Sequence, residues 1–66
     1  MTAFEANQEL THIVLRTNTG DLTYDEGRAL AFPLLKIINT RGAEIAKKHG
    51  KSYRPMSFGY ALRLGI

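Results

Sequence analysis

Between Thr23 and Gly50 the chain is written as one long helix, and this stretch constrains the fold more than any other part of its 66 residues. Thr23 followed by Glu26 is a capping-box pattern, in which each side chain accepts a hydrogen bond from the other residue's backbone N–H. Asp25 and Glu26 stand in the first turn, where the helix dipole favours negative charge. Lys47, Lys48 and His49 stand in the last turn, where it favours positive charge, and Gly50 suits the left-handed residue that closes a helix. At about 100° per residue, Leu30, Ala31, Leu34, Leu35, Ile38, Gly42 and Ile45 share one broad apolar face. Lys36, Thr40 and Lys47 fall on the other side. Pro33 cannot donate to the carbonyl of Ala29 and its ring crowds the preceding turn, so a kink or break near Phe32 is expected. Gly42, on the apolar face, would let a neighbouring helix approach closely.

The flanking segments read as shorter helices. Thr2 and Glu5 repeat the capping box, and Ala3, Ala6, Leu10, Ile13 and Val14 keep helical spacing to about Arg16, before Asn18-Thr19-Gly20 stops the run. A hairpin pairing 12–17 with 21–24 is the rival reading, since Ile, Val and Thr favour strands. Nothing else offers a third strand, and an isolated hairpin is weak. After a basic connector, Lys51–Met56, Ser57 is a candidate N-cap for a final turn or two carrying Phe58, Ala61, Leu62 and Leu64. That piece is too short to stay helical unpacked. The expected fold is therefore all-α, a single domain over 1–66: two to three helices at about 3–16, 24–49 (kinked at Pro33) and 58–64, forming a small helical hairpin or bundle. The expected core is Leu10, Ile13, Leu30, Leu34, Ile38, Ile45, Phe58 and Leu62.

Composition narrows function by exclusion. The absence of cysteine removes disulfides, thiolate metal sites and cysteine nucleophiles together. With 44% apolar residues the chain is globular in composition, yet at this length a core is small, so added burial is expected from a homo-oligomer or a larger protein complex. No apolar run approaches the roughly 20 residues of a membrane span, and no basic-then-apolar leader is written, so a cytoplasmic protein without membrane attachment is expected. The two serines stand in no glycine elbow, no glycine-rich phosphate loop follows a strand, and the calcium-loop spacing is missing. Glu5, Glu9 and His12 share one helix side and include a Glu-x-x-His element, so a metal-binding helical dimer is a distant alternative. A solvated polar face explains these residues more simply. The expectation is a non-enzymatic protein needing no cofactor or metal.

Charge is the positive clue. The chain carries +3 overall. Residues 1–35 hold two arginines against five carboxylates, a net of −3, whereas 36–66 hold seven cations against Glu44, a net of +6. A basic half of this kind points to an anionic partner, either an acidic protein surface or nucleic acid. The candidate contact residues are Lys36, Arg41, Lys47, Lys48, Lys51, Tyr53 and Arg54, with the Tyr53 ring as a possible stacking platform for a base. The connector is too long and the last helix too apolar for an ordinary helix-turn-helix reader. The broad apolar arc of the long helix favours a protein partner, with sequence-nonspecific nucleic-acid binding as the alternative.

Ala43-Glu44-Ile45-Ala46-Lys47-Lys48, a short connector, and then Ser57-Phe58-Gly59-Tyr60-Ala61-Leu62-Arg63-Leu64 resemble a pattern in short helical proteins carried by phages and plasmids. In those proteins an Ile-Ala-Lys helix precedes a Ser-Phe-x-x-Ala-Leu helix. The resemblance covers about a third of the chain and implies a mobile-element origin but no mechanism; the function expected from the basic half is that of a small regulatory or host-interaction binding protein. The group has no assigned catalytic or binding positions, so it transfers none.

Overall fold

Both threonine–glutamate pairs close as capping boxes and set where the first two helices begin. The Thr2 hydroxyl accepts from the Glu5 N–H at 3.1 Å, and Glu5 Oε1 accepts from the Thr2 N–H at 2.9 Å. Thr23 and Glu26 repeat the exchange at 3.2 and 2.9 Å. The computed structural model describes residues 1–65 as α1 (Ala3–Asn18), α2 (Tyr24–Lys48) and α3 (Phe58–Leu64), with no strand among the described residues. The hairpin alternative for 12–24 is thereby excluded. Ser57 caps α3, its hydroxyl accepting from the Tyr60 N–H.

Glycines with positive φ end the first two helices. Gly20 (φ 89°) turns the chain so that the Asp21 N–H reaches the Arg16 carbonyl at 2.8 Å and the Gly20 N–H reaches Thr17 at 3.2 Å. Gly50 (φ 67°) does the same with Lys51 to Ala46 at 2.8 Å and Gly50 to Lys47 at 3.1 Å. This double bonding satisfies carbonyls that a helix end otherwise leaves open. It also extends α1 two residues beyond the expected Arg16, because the stop is the glycine and not Asn18. Of the kink or break expected at Pro33, the break does not occur: α2 is one helix continuous through it. The carbonyl of Ala29, which loses its helical donor there, belongs to an exposed residue beside an exposed proline, where water can serve it.

Length decides what α2 can bury. Its 25 residues span about 37 Å, nearly the 40 Å long axis of the molecule, while the 16 residues of α1 span about 24 Å. The helices lie antiparallel, joined by the short turn after α1, and the start of α1 sits beside Ile37, Arg41 and Glu44. Nothing of α1 extends past that point, so Ile45, expected in the core, is 44% exposed. Leu30, also expected inside, is 50% exposed because it lies at the edge of the apolar arc. The observed core is Ala6, Leu10 and Val14 of α1, Ala31, Leu34 and Leu35 of α2, and Phe58 and Ala61 of α3. Ile13, Ile38 and Leu62 pack against it half-buried. The three helices converge at Gly27, where a Cβ would run into Thr17 Oγ1 and the Phe58 ring. Tyr24 packs against Phe58, ring centroids 5.5 Å apart, and Asn18 Nδ2 donates to the Leu62 carbonyl at 3.3 Å.

Candidate functional site: a cation-rimmed groove on the long helix

After Gly50 the chain runs back along α2 as an irregular segment, and one side chain pins it there. The carboxamide of Asn39 accepts the Met56 N–H at 2.8 Å and donates to the Met56 carbonyl at 3.1 Å, so it serves both backbone groups of one residue as a neighbouring strand would. The same Oδ1 accepts the Tyr53 hydroxyl at 2.7 Å. The Tyr53 ring lies against Gly42, where a Cβ would collide with it. Gly42 thus admits an aromatic ring and not a helix, correcting the expectation drawn from its place on the apolar face.

Pinned in this way, the return segment forms one wall of a groove of about 970 Å³ whose other wall is α2. Phe32, Leu35, Ala43, Pro55, Met56 and Phe58 are its apolar lining, from the buried Leu35 and Phe58 to Phe32, which is 69% exposed. Arg28, Lys36, Lys47 and Lys51 supply four cations along its rim, with no carboxylate in the lining. On α2 the lining follows from helical geometry: Arg28, Phe32 and Lys36 are spaced one turn apart, and Asn39, Ala43 and Lys47 continue the same side. Among the described residues the one ion pair is Arg41 with Glu44 at 3.7 Å, so the rim cations have no carboxylate partner. A desolvated anion entering the groove would meet unneutralised positive charge over an apolar surface.

The structure sorts the expected site residues. Lys36, Lys47, Lys51 and Tyr53 come together at the groove. Arg41 does not: it borders a neighbouring depression at the start of α1, which Lys36 also lines, and is paired with Glu44. Lys48 and Arg54 are exposed outside the groove lining. Tyr53 also builds the wall: its half-buried ring lies against Gly42 and its hydroxyl is bonded to Asn39. Sequence reading missed Arg28, Phe32 and Asn39. The first two were legible as a cation–aromatic–cation run at four-residue spacing. Asn39 was not, because its partners lie 14 and 17 residues away.

The remaining polar clusters have plainer roles. Backbone and hydroxyl hydrogen bonds from Thr2 hold the Glu5 carboxyl below the usual glutamate value, and Thr23 does the same for Glu26. Both belong to helix caps. Glu5, Glu9 and His12 are exposed on α1, and no three His, Cys, Asp or Glu side chains among the described residues gather to hold a metal ion. Comparison with protein families, curated proteins and solved structures returns no match to this chain.

Proposed function

We propose that this is a non-enzymatic binding protein, small and regulatory or host-interacting in role, that takes an acidic, apolar-faced protein segment into the groove between α2 and the return segment. The observation that carries this reading is the groove itself: four unpaired cations around an apolar surface, with no carboxylate among the lining residues. An apolar strip on the partner would cover Phe32 and Met56, and carboxylates on its flanks would meet Arg28, Lys36, Lys47 and Lys51. Buried aromatic anchors dominate the energy of such contacts, while rim charges chiefly govern on-rate and choice of partner. No described helix is long and apolar enough to cross a membrane. A cytoplasmic setting and a mobile-element origin fit this reading as parts of the proposal.

A second reading is favoured by Phe32. Its exposed ring stands one turn from Arg28 and one turn from Lys36, an arrangement that could stack a base of single-stranded nucleic acid between two phosphate contacts. Fluorescence anisotropy separates the readings, using a labelled amphipathic helical peptide with Leu on one face and Glu on its flanks, a scrambled peptide of equal charge, oligothymidine and a DNA duplex. The protein reading expects the amphipathic peptide to bind best and Lys36→Glu/Lys47→Glu to weaken it. Preferential binding of oligothymidine, lost in Phe32→Ala, transfers the groove to nucleic acid. If no probe binds tighter than about 10⁻⁴ M, the weak end of non-specific association, the proposal fails.

A further inference from the structure

We propose that, in the absence of another partner, the groove is filled by helix α1 of a second copy of this chain. The inference rests on the reading of the groove as a docking site and names its occupant.

α1 turns Ala6, Leu10 and Val14 inward. At about 100° per residue its opposite side carries Phe4, Gln8, Thr11 and Leu15, with Glu5, Glu9, His12 and Arg16 along one flank, the two carboxylates in its N-terminal half and Arg16 at its C-terminal end. Phe4 is 72% exposed and Leu15 60%, and eleven residues of helix set them about 16 Å apart. The α2 side of the groove, from Arg28 to Lys47, runs about 28 Å, so both anchors fit within it. The N-terminal half of α1, Phe4 beside Glu5 and Glu9, is the complement of an apolar lining flanked by cations, with Leu15 as a second apolar anchor further along. This side of α1 faces away from the core of its own molecule, so the two surfaces can meet only between copies. In a two-fold dimer the contact is made twice, each α1 entering the other's groove.

The monomer leaves reason for such a contact. Leu10 and Val14 are its only large side chains wholly out of water among the described residues, while Phe4, Leu15, Leu30, Phe32 and Ile45 are all 44% exposed or more. A dimer of ordinary size covers about 800 Å² on each partner, roughly a sixth of the 4939 Å² accessible on this chain.

Charge exchange tests the arrangement. Sedimentation equilibrium of the full chain over the micromolar range should show dimers, weakened when salt is raised to about 0.5 M. Glu5→Lys/Glu9→Lys alone and Lys36→Glu/Lys47→Glu alone should each raise the dissociation constant about tenfold or more, because each places like charges together. An equimolar mixture of the two variants should recover the dimer, since the lysines of one variant's α1 then lie against the introduced glutamates of the other's groove, while the unaltered α1 meets the unaltered groove. That recovery also shows both variants to be folded, although Glu5 belongs to a cap. The amphipathic peptide should bind more tightly to Glu5→Lys/Glu9→Lys than to the unaltered chain, whose groove is occupied. A monomer throughout the range, a dimer indifferent to both variants, or a mixture that stays monomeric overturns the inference. If the chain stays monomeric yet binds the peptide through Lys36 and Lys47, the proposed function stands and this inference alone falls. If the exchange behaves as expected but the peptide never binds, self-association is the groove's role and the separate partner falls.

Discussion

Asn39 should matter more to this protein than any charged residue on its surface. Replacing it with alanine removes three hydrogen bonds of 2.7–3.1 Å, two to the backbone of Met56 and one to the Tyr53 hydroxyl. At about 1 kcal/mol net for each, the loss is about 3 kcal/mol. Alanine's better helix propensity offsets roughly half a kcal/mol, and water reaching the half-buried Met56 groups recovers some more, leaving about 2 kcal/mol. A domain of this size has only about 3–10 kcal/mol in total. The midpoint of thermal unfolding, followed by circular dichroism at 222 nm, should therefore fall by about 8–16 °C. Tyr53→Phe, which removes one of the three bonds, should cost about 1 kcal/mol and about 4–8 °C. Hydrogen exchange gives the local signature: the Met56 amide loses protection in Asn39→Ala and keeps it in Tyr53→Phe. An Asn39→Ala midpoint within about 2 °C of the parent, with the Met56 amide still slow, would refute the pinning argument. The groove would then owe its wall to apolar packing of Met56 and Phe58 alone.

Three further outcomes are expected. Gly27→Ala should destabilise by about 1–3 kcal/mol in chemical denaturation despite alanine's helix preference, because its Cβ meets Thr17 and Phe58 where the three helices converge; a stabilised variant would show that junction to be looser than described. Glu26 is held below its ordinary value by Thr23, so its contribution to stability is present above that ordinary value and is lost as pH falls through the lowered one. Glu26→Gln should accordingly flatten the acid limb of stability against pH in denaturation series, and an unchanged limb would place the acid sensitivity elsewhere. Phe32→Ala should leave unfolding within about 0.5 kcal/mol of the parent, since its ring is 69% exposed, while abolishing binding of the amphipathic peptide. A large stability loss with binding intact would make Phe32 a structural residue and move the anchor elsewhere.

The helices themselves were legible in the sequence, because caps and periodicity are local physics. Thr2/Glu5, Thr23/Glu26, Ser57, Gly20 and Gly50 act within four or five residues of chain, so their presence in the sequence nearly implies the bonds they form. The charge asymmetry was equally plain, and it led to Lys36, Lys47 and Lys51. What periodicity could not tell was which part of each apolar arc would find a partner. Leu30 and Ile45 belong to the apolar arc with Leu34, but Leu30 lies at the arc's edge and Ile45 lies beyond the reach of the shorter α1. Nor could it tell that Gly42 makes room for a tyrosine eleven residues on, or that Asn39 would pair with backbone 17 residues away. Those contacts depend on the path the return segment takes, and that path is set by non-local packing. The sequence by itself therefore determined an all-α chain of two to three helices and a basic half. The tertiary structure alone decided that four of the cations would border one apolar groove, because only the docking of 51–57 against α2 creates its second wall.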